Sequence, residues 1–120
     1  MEVKKGYTAK AKYLLVSPRK IRPIADTIRL KPYTEAMAIL ESTPKKGAGL
    51  IKKVVQSAAA NALYQNNKLD EESLYIRQLL IDEGPRLKRV WPRARGRRDI
   101  LLKRMSHISV VVDEIGNMGE

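Results

Sequence analysis

The sequence predicts an α+β domain of three strands and three helices, with a long basic ribbon between the last two strands. Three observations carry this. Period-two alternation marks a strand near the start, and two further strand-like runs lie near the end. Three segments of helical periodicity fill the space between them. Finally, residues 86–104 separate the last two strands; nine of these nineteen residues are Lys or Arg and only Asp99 is acidic, so this segment carries +8 of the formal +11.

Residues 7–16, Tyr-Thr-Ala-Lys-Ala-Lys-Tyr-Leu-Leu-Val, alternate Lys10 and Lys12 with Ala9, Ala11 and Tyr13, as a half-buried strand does. Ser17-Pro18 then signals a helix start, with Ser at the N-cap and Pro at the first helical position. Ile21, Ile24, Ala25 and Ile28 form one buried stripe, and Arg19, Lys20, Arg22 and Arg29 fall mostly off it. Pro23 is early enough to be tolerated, because first-turn N–H groups lack acceptors within the helix. Pro32 stops this helix. Thr34 is placed to cap a short second one containing Ala36, Met37, Ile39 and Leu40.

Thr43-Pro44-Lys45-Lys46-Gly47 reads as a turn. A third helix follows from about Ala48 to Asn66, with Leu50, Ile51, Val54, Val55, Ala58, Ala59, Ala62 and Leu63 on its apolar face. Its run Ser57-Ala58-Ala59-Ala60-Asn61-Ala62 is small enough for another backbone to come close, either a sheet or an RNA strand. Asn66 to Asp70 is a polar loop, Leu74 to Asp82 a strand, and Ser106 to Asp113 a β-branched strand. The tail from Glu114 to Glu120 is expected to fray.

Nineteen residues is long for a structureless connection. If the flanking strands pair antiparallel, the economical solution is that they continue outward as a two-stranded ribbon, reaching roughly 30 Å at ~3.3 Å per residue. Pro92 and Gly96 bracket Arg93-Ala94-Arg95 as its turn. A lone ribbon is marginal in water, so its order should come from a partner.

The chemistry of these residues points to phosphate. Arg93, Arg95, Arg97 and Arg98 present planar forks that bind phosphates bidentately and stack on bases. Trp91 either stacks on an exposed base or packs at the hairpin root against Val90. Arg19, Lys20 and Arg22 sit by a helix N-terminus, where cations oppose the dipole unless an anion is near. Lys45, Lys46, Lys52 and Lys53 repeat that arrangement at the third helix; for both groups a solvated basic face is the alternative.

An enzyme is not expected. His107 is the only His and belongs to a strand pattern, where a hydrogen bond at the ribbon base is its plainer role. Asp82 and Glu83 are neighbours on a strand and point to opposite faces, badly placed for joint acid–base work. Cys is absent, and no metal-ligand spacing or phosphate-cradling Gly loop occurs, so neither metal nor cofactor is expected. The start lacks the apolar core of a secretory signal and no run approaches a membrane span, which suggests a cytoplasmic protein.

Five motifs follow one another in order: Ser17-Pro18-Arg19-Lys20; Ser57-Ala58-Ala59-Ala60-Asn61-Ala62; Asp82-Glu83-Gly84-Pro85; Pro92-Arg93-Ala94-Arg95-Gly96-Arg97; and Lys103-Arg104-Met105-Ser106-His107-Ile108-Ser109-Val110-Val111-Val112. Together they closely resemble the bacterial form of the L-twenty-two family of large-subunit ribosomal proteins, from about Ala9 to Glu114. The resemblance implies a single domain over residues 1–120, with a three-stranded antiparallel sheet packed on three helices and a β-hairpin at 84–105. It implies a structural protein that binds large-subunit ribosomal RNA, aids subunit assembly and lines the peptide exit tunnel with its hairpin. Neighbouring ribosomal proteins would be partners, nascent peptide and macrolides would pass near the tip, and no homo-oligomer is expected.

On that reading the RNA-binding set comprises Arg19, Lys20, Arg22, Lys45, Lys46, Lys52, Lys53, Asn61 and His107 on the globular part. From the hairpin it takes Arg86, Lys88, Arg89, Trp91, Arg93, Arg95, Gly96, Arg97, Arg98, Lys103 and Arg104. The tunnel tip would run from Leu87 to about Arg97, through Lys88, Arg89, Val90, Trp91, Pro92, Arg93, Ala94 and Arg95. Four residues depart from the family's usual pattern: Leu30 where Gly is common, Trp91 where Met or another apolar residue is usual, Arg98 for a small residue and Ile100 for a polar one. The main alternative is a nucleic-acid-binding protein that bends DNA with a β-arm.

Overall fold

The computed structural model describes residues 6–92, 94–96 and 98–115, with residues 89, 91 and 98–101 described by backbone alone. The elements run β1 (Tyr7–Leu14), α1 (Pro18–Ile28), α2 (Tyr33–Ser42), α3 (Lys46–Gln65), β2 (Leu74–Glu83), β3 (Leu87–Pro92), β4 (Arg98–Lys103) and β5 (Ser106–Glu114). Strands β1, β5 and β2 form an antiparallel sheet in that order, and β3 and β4 form a separate two-stranded ribbon. The α+β architecture is the one expected.

The centre of the sheet falls to the strand richest in β-branched residues. Ile108, Val110 and Val112 of β5 are fully buried between two neighbours and the helices. The helices supply the other half of the core: Ile21, Ile24, Ala25 and Ile28 from α1, and Ile51, Val55, Ala58, Ala59 and Ala62 from α3. The alanines let α3 lie close to the sheet, as the plainer reading of that run expects. Among the described residues, each edge strand carries one register shift against β5. In β1 it contains Tyr13, at φ 59°. In β2 it sets Arg77 against the buried carboxylate of Asp113, Nη1 to Oδ2 2.8 Å.

Several local expectations are corrected. Ser17 occupies the N-cap of α1, but its side chain makes no capping bond; its carbonyl accepts from the Lys20 N–H instead. Thr34 lies inside α2, and Pro32 is the N-cap, its carbonyl accepting from Ala36. α3 begins at Lys46, two residues before Ala48, so Lys46 and Gly47 belong to its first turn. After α1, Leu30 takes up the left-handed region at φ 62°. Two backbone bonds to β2 hold it there: the Leu30 N–H donates to Ile76, and the Ile76 N–H donates to Lys31.

The ribbon is not a continuation of β2 and β5. Gly84-Pro85-Arg86 and Arg104-Met105 interrupt the strands, because Pro85 has no N–H to give a ladder. One backbone bond, Gly84 N–H to the Met105 carbonyl at 2.8 Å, bridges the break. Beyond it the register runs from Leu87 opposite Lys103 to Pro92 opposite Arg98, with a turn at Ala94–Gly96 in which Arg95 and Gly96 have φ of 63° and 76°. Leu87, Lys88 and Arg89 are therefore at the root of the ribbon, not its tip. The projection stretches the molecule to 66 × 37 × 24 Å and its radius of gyration to 17.6 Å. A compact chain of this length would have a radius of gyration of about 14 Å.

Candidate nucleic-acid interface

Three basic groups that are far apart in sequence meet at one groove. Its walls are Arg19 and Lys20 from α1, Lys45 and Lys46 from the head of α3, and Lys103 and Arg104 from the ribbon root. Its floor is apolar, formed by Leu15, Val16, Pro23, Ile24 and Leu102. The groove is open to solvent and its volume is about 770 Å³.

Two close approaches build it. Gly47 puts the head of α3 directly against α1: a side chain there would occupy the space of Ile21 Cγ2, with Ile24 Cδ1 only 3.3 Å away. At the other wall, the buried Ser106 hydroxyl donates to the Val16 carbonyl at 2.6 Å and holds the returning ribbon strand against the chain entering α1. The N-termini of α1 and α3 thus open beside the same space. Neither has an acidic residue in its first turn or a capping side chain. Two positive dipole ends and six cations therefore share one concavity.

What distinguishes these six cations is that they line one concavity together. Among the described residues, none of them has an ion pair and no Asp or Glu lines the groove. Several cations elsewhere are matched: Arg29 with Asp26, Lys31 with Glu35 at 3.8 Å, Lys52 with Glu41 at 3.2 Å, and Arg86 with Glu83 at 2.9 Å.

The remaining candidate residues divide by what already holds them. Arg22 turns its guanidinium to the Ile81 carbonyl at 3.2 Å, and Asn61 donates to the Thr8 carbonyl at 3.0 Å, tying α3 to the edge strand. His107 accepts the Tyr13 N–H on Nδ1 at 3.0 Å and meets the Tyr13 ring edge-on, the expected hydrogen bond near the ribbon base. Lys53 is exposed on α3 outside the groove, as is Lys88 on β3. Val90, Pro92, Ala94, Arg95 and Gly96 are exposed along the outer ribbon. The backbone places Arg89 and Trp91 in β3 and Arg98 in β4, and Arg93 and Arg97 lie outside the described residues.

Sequence reasoning found the cations but missed the floor. Leu15 was read only as part of the first strand, and Gly47 only as the end of the turn before the third helix. Among the described residues no group of three His, Cys, Asp or Glu side chains could hold a metal, and no helix is long and apolar enough to cross a membrane.

The molecule is a small α+β body with a projecting ribbon and a cationic groove at the ribbon's root. Comparison with known proteins gives its family: the chain belongs to the family described as ribosomal protein L22p/L17e, which it matches over residues 9–113. It is 59% identical to the large ribosomal subunit protein uL22 of Treponema denticola, over 95% of this chain and 97% of the relative. The proteins of the same name from Treponema pallidum and Borreliella afzelii are 57% and 54% identical, over 90% and 95% of this chain and 87% and 95% of theirs. The chain is thus a structural constituent of the bacterial ribosome, not an enzyme.

Proposed function

We propose that the chain acts as one domain of the large ribosomal subunit, binding its RNA through the groove and the ribbon. The observation that carries this is the cluster of six cations that line one groove with no acid among its lining residues. Such a surface is costly in isolation and favourable only beside phosphates. The ribbon, extending from the groove's edge, would pass between RNA segments toward the peptide exit tunnel, where nascent peptide and macrolides would meet its turn. Bridging RNA from two directions would let the protein aid subunit assembly alongside neighbouring ribosomal proteins. Membership of a ribosomal family weighs against the DNA-bending alternative.

Sedimentation tests the proposal. The tagged protein should stay with the large subunit through a high-salt wash, and a variant with Lys46, Lys103 and Arg104 all changed to Ala should leave it. Full retention of that variant would remove the groove from the RNA interface. Wild-type protein found only in the free pool would end the ribosomal reading altogether.

A further inference from the structure

We infer that the groove holds one unpaired nucleotide of RNA, with its base on the apolar floor and its phosphates on the cationic rim. This rests on the RNA-binding reading above and goes beyond it by naming the form of RNA. The rim alone would suit any phosphate chain. The floor is what discriminates: Leu15 is 59% and Leu102 45% exposed, and both line the same space as the six cations.

A closed A-form duplex keeps its base faces stacked and offers phosphates and sugar edges outward. Resting on the rim, it would leave both leucines against water. An extruded base offers a flat apolar face that covers them, with its 5′ and 3′ phosphates falling to either side. The volume of about 770 Å³ lies within the range of roughly 300–1,000 Å³ that suits small-molecule-sized groups. Arg19 and Arg104 add guanidinium planes at the walls, which can stack on a base as well as bind phosphate. Gly47 against Ile21 holds the α1–α3 wall in the protein alone, and Ser106 on Val16 anchors the foot of the ribbon beside it. A concave wall of this kind favours a protruding group over a smooth helix.

The test uses the full chain and two blunt-ended duplex RNAs with the same base pairs. One is fully paired, and the other carries in addition a single unpaired 2-aminopurine. At fixed salt, the wild type should bind the bulged RNA roughly tenfold more tightly, the scale of one base contact, and the 2-aminopurine fluorescence should rise as the base leaves its stack. The double variant Leu15→Ser, Leu102→Ser should lose that preference while keeping its affinity for the paired RNA. Both leucines are exposed, so an unchanged melting midpoint is expected and confirms that the fold is intact. Lys46→Ala with Lys103→Ala should weaken both RNAs alike. Equal wild-type affinity for the two RNAs, or a preference that survives the leucine changes, overturns the inference and leaves general RNA binding standing. Undiminished binding of both RNAs by the lysine variant would instead take down the reading on which it rests.

Discussion

The Ser106 hydroxyl donates to the Val16 carbonyl at 2.6 Å, joining residues 90 positions apart. The bond lies where the ribbon returns to the sheet and where the chain enters α1, so it fixes two walls of the groove at once. Ser106→Ala leaves a buried carbonyl without its partner, at a cost of about 1–3 kcal/mol. The urea midpoint should fall with an unchanged slope. A midpoint equal to wild type would mean that this bond does not hold the root.

Two glycines two residues apart, on nearly opposite faces of α3, should respond in opposite directions. Gly47→Ala drives a methyl group into Ile21 and should destabilise by about 1–3 kcal/mol through overpacking. Gly49 has open space where its side chain would be, so Gly49→Ala should stabilise by up to about 1 kcal/mol through helix propensity. Thermal midpoints of the two single variants check the contrast. Equal shifts would refute the close approach of α1 and α3.

If the groove cations meet phosphates, removing each one removes released counterions. Lys46→Ala, Lys103→Ala and Arg104→Ala should each lower the slope of log affinity against log salt by about 0.7–0.9. Lys31, paired with Glu35 outside the groove, is the control, and Lys31→Ala should leave that slope unchanged. Titrations of large-subunit RNA at several salt concentrations decide this.

Burial raises the pKa of the Tyr33 phenol above its ordinary value, and the charge of Glu71 adds to the rise. The unfolded chain therefore loses this proton first, from about pH 10. Stability falls as pH climbs past that point and stops falling once the folded phenol has also ionised. Tyr33→Phe has no proton to lose. The stability difference between wild type and Tyr33→Phe, from urea melts, should be flat below about pH 9 and then shift against the wild type. A flat difference throughout would contradict the buried phenol.

The β3–β4 ribbon shares no third strand with the sheet, and such a ribbon is marginal alone. Its amides should exchange with solvent much faster than those of β5 in the free protein, and slow down when RNA binds. Protection equal to β5 without RNA would show that the ribbon is ordered by its own contacts.

Much of the fold was legible because it depends on short-range order. The α1 stripe at Ile21, Ile24, Ala25 and Ile28 and the β-branched run of β5 state their periods in a few residues, and both are buried as read. The errors lie where a local signal had a competitor. Thr34 could cap a helix, but Pro32 supplies a carbonyl two residues earlier. The last strands looked continuous with the ribbon until Pro85 is given its missing N–H. The family resemblance put Leu87, Lys88 and Arg89 in the tip, but the register pairs Leu87 with Lys103 and sets them at the root.

By itself, the sequence determined the number and kind of elements and the excess of positive charge, since both follow from residue identity and spacing. Only the tertiary structure decided which charges matter. Arg22 and Lys52 look like Arg19 and Lys45 in sequence, but two are drawn to a carbonyl and a carboxylate and two are left facing a groove. Neutralisation depends on distances of a few ångströms between side chains. For the groove those distances are set by Gly47 against Ile21 and Ser106 on Val16, contacts between residues that the sequence holds far apart.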